Sequence, residues 1–279
     1  GTGFEARRST QWTVLHDAAA SPDPADPYPE TLEREGTLFD FPFEVGVQLH
    51  PKVRAGMGLL LVRGTVRQRY RAVVPGAGTD PADVREDVYE AEALKLALGL
   101  YDLGPVSVTG FYVPEHQADV EVRVRGVTRD SRRESTRTDT MPARLGAGMR
   151  LDLPGRWSLG TDYRWEGWGA YEGRSSYEDE LVDEWSIHAG LELEEEGYGR
   201  RRQAPWRLGG WYRRLHYQLQ GQDVTEWGAS LGTAIDLRGV FSRADLALQY
   251  GRTGSLDGNG AQESFFRLVF SITGGEKWY

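Results

Sequence analysis

The segment from Glu226 to Leu237 reads Glu-Trp-Gly-Ala-Ser-Leu-Gly-Thr-Ala-Ile-Asp-Leu, and its two alternating faces differ in chemistry. The face that begins at Trp227 is mostly apolar, whereas the face that begins at Glu226 carries glycine, serine and alanine between two acidic residues. Side chains of a strand alternate between the faces of a sheet, so the pattern predicts an amphipathic strand. A small, sparsely charged polar face is typical of the inside of a closed barrel whose apolar face contacts lipid.

Later segments repeat this alternation. Apolar side chains share one face at Ala244, Leu246, Leu248 and Tyr250, and again at Phe266, Leu268, Phe270 and Ile272. A soluble sandwich would instead show a face rich in lysine and glutamate to water. Period-two segments recur along the chain and predict an all-β, transmembrane, antiparallel up-and-down β-barrel of about twelve strands. The predicted strands lie at roughly residues 3–14, 36–50, 53–74, 88–102, 106–127, 144–153, 156–169, 184–195, 205–220, 224–238, 241–254 and 263–275.

Apolar positions of these strands are predicted to face lipid. They include Val45, Val47 and Leu49; Leu94, Leu96, Leu98 and Leu100; Val120, Val122 and Val124; Leu145, Ala147, Met149, Leu151 and Leu153; and Trp185, Ile187, Ala189, Leu191 and Leu193. Runs of about ten residues are long enough to cross a bilayer at a tilt.

The connections between predicted strands alternate in length. Short ones lie at 50–52, 102–105, 153–156 and 238–240, and long polar ones at about 15–35, 75–88, 128–143, 170–184 and 255–262. Outer-membrane barrels have short periplasmic turns and long external loops, so both termini are predicted to be periplasmic. The charged connection 194–204 is an exception. Residues 106–127 keep one parity and predict one strand that projects beyond the membrane, with a turn at Pro114–Gln117 as the alternative.

Composition excludes several classes of protein. The chain of 279 residues has no cysteine, which excludes a disulfide framework and thiolate metal sites. Its longest uncharged stretch, about 103–114, is too short for a membrane-spanning helix. The net charge of −9 argues against nucleic-acid binding. The 9 Trp, 13 Tyr and 35 Gly suit aromatic girdles and crowded barrel walls. The start at Gly-Thr-Gly is expected to be that of a mature or trimmed chain.

Charged and polar residues on the predicted inner faces are candidates for substrate contact or for an interior salt-bridge network. These lumen-lining residues are Tyr212, Arg214, His216, Gln218, His188, Arg123, Arg125, Arg150, Asp162, Arg164, Asp236, Asp245 and Arg267. Both signs of charge occur, and buried charges must pair or meet water. Pairing predicts a mostly closed lumen; a hydrated pore is the alternative.

From Trp206 onward the sequence resembles the FadL-type family of outer-membrane transporters for hydrophobic compounds. The segments that carry the resemblance are Trp206 to Tyr212, Leu215 to Tyr217, Glu226 to Gly232, Asp245 to Gly254, Glu263, Glu276 to Tyr279 and, earlier, Phe41 to Val47. The resemblance implies fourteen strands, an N-terminal hatch in the lumen and uptake through a lateral opening. The Asn-Pro-Ala hatch motif is missing here, so the chain is expected to be a small relative or to lack an N-terminal part, with fourteen strands in the latter case.

Other chemistries have weaker signals. Ser186 and His188 share a predicted inner face, which would suit a serine hydrolase, but no signature distinguishes them and no enzyme activity is predicted. The five histidines lack ligand spacing, so neither a metal site nor a cofactor is predicted. The acidic segment 171–184 is a conceivable calcium site, and the arginines between Arg129 and Arg137 could meet lipopolysaccharide phosphates; solvation is the simpler explanation of both.

The sequence thus predicts a single barrel domain over residues 1–279 in the outer membrane. Its predicted role is passive transport of a small hydrophobic, fatty-acid-like compound. The alternative is a non-transporting barrel that anchors or scaffolds a larger envelope complex. Predicted partners are outer-membrane lipid and lipopolysaccharide, a hydrophobic ligand and other envelope proteins.

Overall fold

A computed structural model of the protein describes residues 5–16, 30–72, 82–126, 132–170, 181–193, 205–219, 221–237 and 241–275. The predicted connection 194–204 and most of the acidic segment 171–184 lie outside the described residues, as do Arg129 to Ser131. In the parts described, no helix combines the length and apolarity that crossing a bilayer requires.

The described chain folds as an all-β sheet of fourteen strand segments in up-and-down order. They are β1 Glu5–His16, β2 Glu30–His50, β3 Val53–Ala72, β4 Ala82–Leu103, β5 Val106–Val113, β6 His116–Arg125, β7 Arg133–Met141, β8 Arg144–Asp152, β9 Trp157–Glu166, β10 Glu184–Leu193, β11 Trp206–Leu219, β12 Gln222–Leu237, β13 Phe241–Ser255 and β14 Ala261–Gly275. A 3-10 turn at Trp168–Ala170 and a one-turn helix, α1, at Leu256–Asn259 complete the described elements.

Every predicted strand is present, and one further strand, β7, occupies part of a predicted loop. β5 pairs with Leu96–Leu103 of β4 and β6 pairs with Val84–Ala91 of the same strand. Residues 106–125 therefore follow one partner strand, with a break at Pro114, whose backbone has no N–H for the ladder. The prediction of one long strand is confirmed, and the alternative turn at Pro114–Gln117 is wrong.

The prediction of a loop at 128–143 is wrong, because residues 133–141 form a strand that pairs with β6. β7 pairs with β6 from His116–Met141 to Val124–Arg133, and β8 follows it after a break at Pro142–Ala143. Residues 133–152 thus continue alongside the interrupted strand 106–125. The sequence of β7 consists of threonine, serine and charged residues apart from Met141. Neither face of the strand is apolar, so the sequence resembles that of a polar loop.

Contacts divide the chain into two compact units. Unit 1 comprises residues 1–45, 57–95 and 114–141, and unit 2 comprises residues 46–56, 96–113 and 142–279. Unit 1 has a packed core of its own, formed by Leu38, Val62, Val66, Tyr89, Ala91, Ala118, Val120, Val122 and Met141, with Val124 packed against it. The prediction that Val120, Val122 and Val124 contact lipid is therefore wrong. Their apolar face is covered by protein, and Val120 is 0% exposed.

Unit 2 exposes its apolar face. The predicted outward residues Leu96, Leu98, Leu145, Met149 and Ile187 are all exposed large hydrophobic side chains. On β9, Trp157 and Trp165 have the same parity and are eight residues apart, about 27 Å along a strand. Because strands of such barrels tilt by about 35–45°, that span corresponds to about 20 Å of height, close to an apolar band about 25 Å tall with aromatic side chains at its borders.

Candidate functional site

Glycines form a gap in the inner face of unit 2. In β9, β10 and β11, Gly160, Gly190 and Gly209 are directly paired across neighbouring strands. This glycine row continues to Arg150 on one side and to Ser230 on the other. Because three adjacent strands place no side chain inward at this level, space remains beside the backbone.

A cavity of about 640 Å³ occupies this space. Ligand sites typically have volumes of about 300–1,000 Å³, so the cavity can hold a small molecule. Its polar border includes Ser107 and Thr109 from β5, Asp162 from β9 and His188 from β10. Trp211 adds an aromatic ring from β11.

A buried carboxylate lies on the Leu219 side of the glycine row. Glu226 is 7% exposed and accepts hydrogen bonds from Trp211 Nε1 at 2.9 Å, Arg213 at 2.8 Å and the Thr253 hydroxyl at 2.9 Å. These four residues are called the Glu226 cluster. A buried charge is tolerated when it is paired and hydrogen-bonded, and here both carboxylate oxygens have donors.

A second set of ion pairs lies on the Trp206 side of the glycine row. Arg207 Nε donates to Glu192 Oε1 at 3.0 Å, and an Arg207 terminal nitrogen donates to Asp245 Oδ1 at 2.7 Å. Arg207 has the same parity as Gly209, two residues further along β11. Arg207, Glu192 and Asp245 are called the Arg207 cluster. Along β11 the glycine row therefore lies between two layers of paired charge.

A third polar group lies at an irregularity in the pairing of β11 with β12, which falls between Arg214 and Gln218. His216 Nδ1 is 3.0 Å from Glu184 Oε2, and the His216 ring packs 5.3 Å from that of Trp168. Arg214 donates twice to the Asp183 carbonyl oxygen, at 3.0 and 2.7 Å. These contacts fasten the end of β11 to the chain that enters β10, and they leave little freedom for a mobile gating residue.

The part of the sequence that forms the glycine row and both charge clusters matches a known protein family. The family model described as BamG matches residues 107–279, which include the glycine row and both charge clusters. The chain belongs to the BamG family. No curated protein matches it in sequence.

Solved structures similar to this BamG-family chain include a FadL homologue, a hydrocarbon channel and a toluene transporter. A FadL homologue of Pseudomonas aeruginosa aligns with a TM-score of 0.56 at 9% identity, covering 88% of this chain and 72% of that one. The CymD monoaromatic hydrocarbon channel aligns with a TM-score of 0.53 at 12% identity, covering 97% and 84%. The toluene transporter TbuX of Ralstonia pickettii aligns at 0.53 and 11%, covering 89% and 78%. The predicted fold, a FadL-type transmembrane β-barrel, is thereby confirmed.

Several residues predicted to line the lumen do border the cavity or its charge layers. Arg150, Asp162 and His188 border the cavity, and Asp245 belongs to the Arg207 cluster. Arg164 Nε lies 3.6 Å from Asp162 Oδ1. Arg267 pairs across strands with Gln249, which borders the cavity, and its guanidinium lies 5.1 Å from the centre of the Phe265 ring.

Other predicted lumen residues lie elsewhere. Tyr212 pairs with Ile187 and Trp227 on the outer face and is 41% exposed there, so its inward assignment is wrong. Arg214 pairs with Trp185 and Thr225 and has the same parity as Tyr212, so its inward assignment is wrong too. His216 and Gln218 belong to the polar group at the strand irregularity, where Gln218 donates to Asp223 at 2.8 Å. The side chain of Asp236 lies outside the described part of the structure.

Arg123 and Arg125 are also misplaced by the prediction. They alternate with Val122 and Val124 on β6, so they lie on the face opposite to the core of unit 1. Arg123 pairs there with Glu121 at 2.8 Å. The assignment failed because the apolar face of β6 was taken to contact lipid. Arg137, predicted in a lipopolysaccharide-binding loop, instead pairs with Asp87 at 3.3 Å and Asp139 at 2.9 Å within unit 1.

The glycine row is the feature that sequence reasoning missed. Each glycine looks unremarkable in its own strand, and only the cross-strand register brings Gly160, Gly190 and Gly209 to one level. Each of three consecutive predicted strands carries one of these glycines, but Gly209 has the opposite parity to Tyr212 and Arg214, which were predicted to face inward.

Proposed function

We propose that this protein resides in the outer membrane, with both termini periplasmic, and mediates passive transport of a small, mainly hydrophobic compound, for which a fatty acid is the reference case. The cavity between the Glu226 and Arg207 clusters carries the proposal. It has the volume of a ligand site and lies on the inner face of a wall whose outer face is apolar. Two of the similar solved structures are a monoaromatic hydrocarbon channel and a toluene transporter, which supports the proposal by analogy of fold.

The two clusters define what transport requires. The Glu226 cluster pairs one arginine with one carboxylate, whereas the Arg207 cluster places one arginine between two carboxylates and carries an excess of negative charge. A compound that leaves the cavity along the barrel axis passes these paired charges. Movement is therefore expected to be slow and selective, unlike that through an open, water-filled pore.

Uptake into vesicles tests the proposal. Purified protein is inserted into vesicles that carry lipopolysaccharide in the outer leaflet, which slows spontaneous entry of apolar compounds. We expect a labelled fatty acid to enter faster than in protein-free vesicles, whereas sucrose does not. The variant Gly190→Leu adds a side chain inside the cavity and should reduce uptake. An Ala229→Leu variant adds similar bulk on the exposed outer face and should not. An uptake rate equal to that of empty vesicles contradicts the proposal.

A second candidate function is a barrel that scaffolds an envelope protein complex. Two observations favour it: the match to the BamG family and the separate packed core of unit 1. A core of this kind is what a folded, partner-binding module needs. Purification from native membranes in mild detergent, followed by mass determination, separates the candidates. Scaffolding is supported by a stable heteromeric complex together with an uptake rate equal to that of protein-free vesicles. An isolated barrel that accelerates uptake contradicts it.

A further inference from the structure

The cavity offers a ligand little apolar surface. The inward residues that border it are glycines or carry polar side chains, apart from the aromatic rings of Tyr101 and Trp211. The Tyr101 ring lies beside Gly99 of its own strand, and the Arg54 guanidinium is 4.6 Å from its centre. Trp211 lies on β11, two residues beyond Gly209 of the glycine row. The Trp211 ring is therefore the large apolar surface next to a compound that rests on the glycine row.

Gly228 determines where the Trp211 ring lies. The two residues pair across β11 and β12, and a Cβ atom at Gly228 would be 2.1 Å from the nearest ring atom. The indole thus extends from β11 over the backbone of β12 and fills the space that a side chain at position 228 would need. A larger residue at this position would push the ring away from the wall and toward the cavity.

Glu226 determines how the ring is oriented. Trp211 Nε1 donates to Glu226 Oε1 at 2.9 Å, while Arg213 and the Thr253 hydroxyl donate to Glu226 Oε2 at 2.8 and 2.9 Å. The carboxylate is thus held by donors from two strands, and in turn it holds the indole in one orientation. Glu226 is not among the described residues that border the cavity, so its effect on a ligand passes through the Trp211 ring.

A second ring has the same arrangement on the next strand pair. Gly251 pairs with Gly228, and a Cβ atom at Gly251 would be 2.4 Å from the Phe265 ring. Trp211 and Phe265 therefore extend from β11 and β14 over the paired glycines of β12 and β13. Aromatic rings cover the inner wall at this level, whereas the glycine row, one level away, carries no side chain. The Trp211 ring forms the step between the two levels on β11.

We infer that Trp211 is the specificity-determining residue of the cavity and that Glu226 is a positioning residue that acts through it. The bare backbone of the glycine row and the fixed indole are two smooth surfaces. A flat ring can contact both closely, whereas a puckered saturated ring with the same number of carbon atoms cannot. Two aromatic rings also attract each other beyond the effect of buried area. The inference rests on the proposed transport function and deepens it, because a buried carboxylate then controls which compounds the same site retains.

A matched pair of probes tests this. Benzamide and cyclohexanecarboxamide carry the same uncharged amide and differ only in the ring. The charged side chains of the lining, Arg150, Asp162 and His188, therefore act on both probes alike. Binding to the whole chain in non-ionic detergent is measured by titration calorimetry, with protein-free micelles as the blank. We expect benzamide to bind about 5-fold more tightly than cyclohexanecarboxamide, the factor for one aromatic contact.

Variants assign the two roles. Trp211→Ala should abolish the preference for benzamide, and Glu226→Ala should reduce it because the ring loses its hydrogen bond. In the Trp211→Ala background, Glu226→Ala should not change the ratio of the two affinities further, which a double-mutant cycle measures. A merely structural role of Glu226 would lower the stability of the fold without changing this ratio. Gly228→Ala should reduce the preference by displacing the ring. Gly232→Ala, on the same face of β12, should not, since the nearest neighbour of its Cβ atom is a backbone oxygen at 3.3 Å.

The inference is overturned if the unmodified protein binds neither probe or binds both equally, or if the preference persists in Trp211→Ala. A preference that persists in Glu226→Ala overturns the positioning role. Fatty acid uptake into vesicles is measured in parallel. Accelerated uptake without the benzamide preference leaves transport standing and contradicts the role of Trp211. The preference without accelerated uptake supports the role of Trp211 and contradicts transport. Retention of the folded, heat-modifiable band on gels shows whether each variant is intact.

Discussion

Replacement of Leu231 by arginine tests the assignment of the outer face most directly. Leu231 is 49% exposed on β12 and pairs with Leu208 and Leu248 on the neighbouring strands. It lies four residues from Trp227, about 13 Å along a strand, well inside the apolar band. A lipid-facing cation near the bilayer midplane costs about 2–4 kcal/mol. We expect Leu231→Arg to reduce the free energy of unfolding by that amount.

The adjacent Ser230 provides the matched control. Its side chain borders the cavity of about 640 Å³ and pairs with Gly209 and Gln249, so an arginine there meets space and polar groups. We expect Ser230→Arg to cost less than about 1 kcal/mol, in the range of ordinary surface substitutions. Urea unfolding of the protein in lipid vesicles, followed by tryptophan fluorescence, measures both values. Equal costs, or a larger cost for Ser230→Arg, would show that hydrocarbon does not contact the Leu231 face.

Three further substitutions have defined expected results. Glu226→Gln should destabilise unit 2 by about 2 kcal/mol, below the usual cost of breaking a buried pair because Arg213 is itself 38% exposed; chemical denaturation measures it. Val120→Ala should cost about 2 kcal/mol as a cavity in the core of unit 1, measured by calorimetry. Gly146→Ala should cost at least about 1 kcal/mol, because its Cβ would lie 2.1 Å from the Phe111 ring, measured as the urea midpoint.

Each of these has a matched control on the same kind of strand. Val47 is 53% exposed on the outer face, so Val47→Ala should have little effect; a cost equal to that of Val120→Ala would contradict the core assignment. A Cβ at Gly190 would be 3.6 Å from its nearest neighbour, an ordinary contact. Gly190→Ala should therefore be tolerated, and a large loss of stability there would contradict the description of the cavity. For the Glu226 cluster the control is Glu121→Gln, at an exposed pair.

The strands of unit 2 were predictable because the alternation of apolar and polar residues is visible in a single sequence. The register of β12 with β13 places Leu231 opposite Leu248 and Ser230 opposite Gln249, as their alternation predicts. Period two fixes which residues share a face. It does not fix what that face contacts, and this is where the prediction for Val120 failed. A row of valines that contacts lipid and a row of valines that contacts protein have the same sequence pattern.

Strand length was used for residues 106–127 but not for the other long strands that enter unit 1. β2 has 21 residues and β4 has 22, about twice the 9–11 residues that cross a bilayer. About half of each such strand therefore lies outside the bilayer, and its apolar side chains must pack against protein instead of lipid. The strand β7, which pairs with β6, was not predicted because its composition is polar. A strand with almost no apolar side chains lacks the alternation that distinguishes a strand from a loop.

The error at Tyr212 arose from counting across an irregular strand. A stripe extended from His216 at period two includes Arg214 and Tyr212. The pairing of β11 with β12 is irregular between Arg214 and Gln218, so the parity of His216 does not carry to Arg214 or Tyr212. Outward partners on both neighbouring strands settle the position of Tyr212. Sequence alone contains no register, and the cavity, which depends on register, was therefore invisible.

The glycine row makes the volume of the cavity adjustable by small steps. Neither Gly160 nor Gly190 needs the left-handed backbone conformation, and a Cβ atom at either position finds its nearest neighbour at 3.9 or 3.6 Å. Alanine can therefore replace either glycine while the strand pairing and the exposed apolar face stay as they are. Each such replacement narrows the cavity by one methyl group without any change in the rest of the wall.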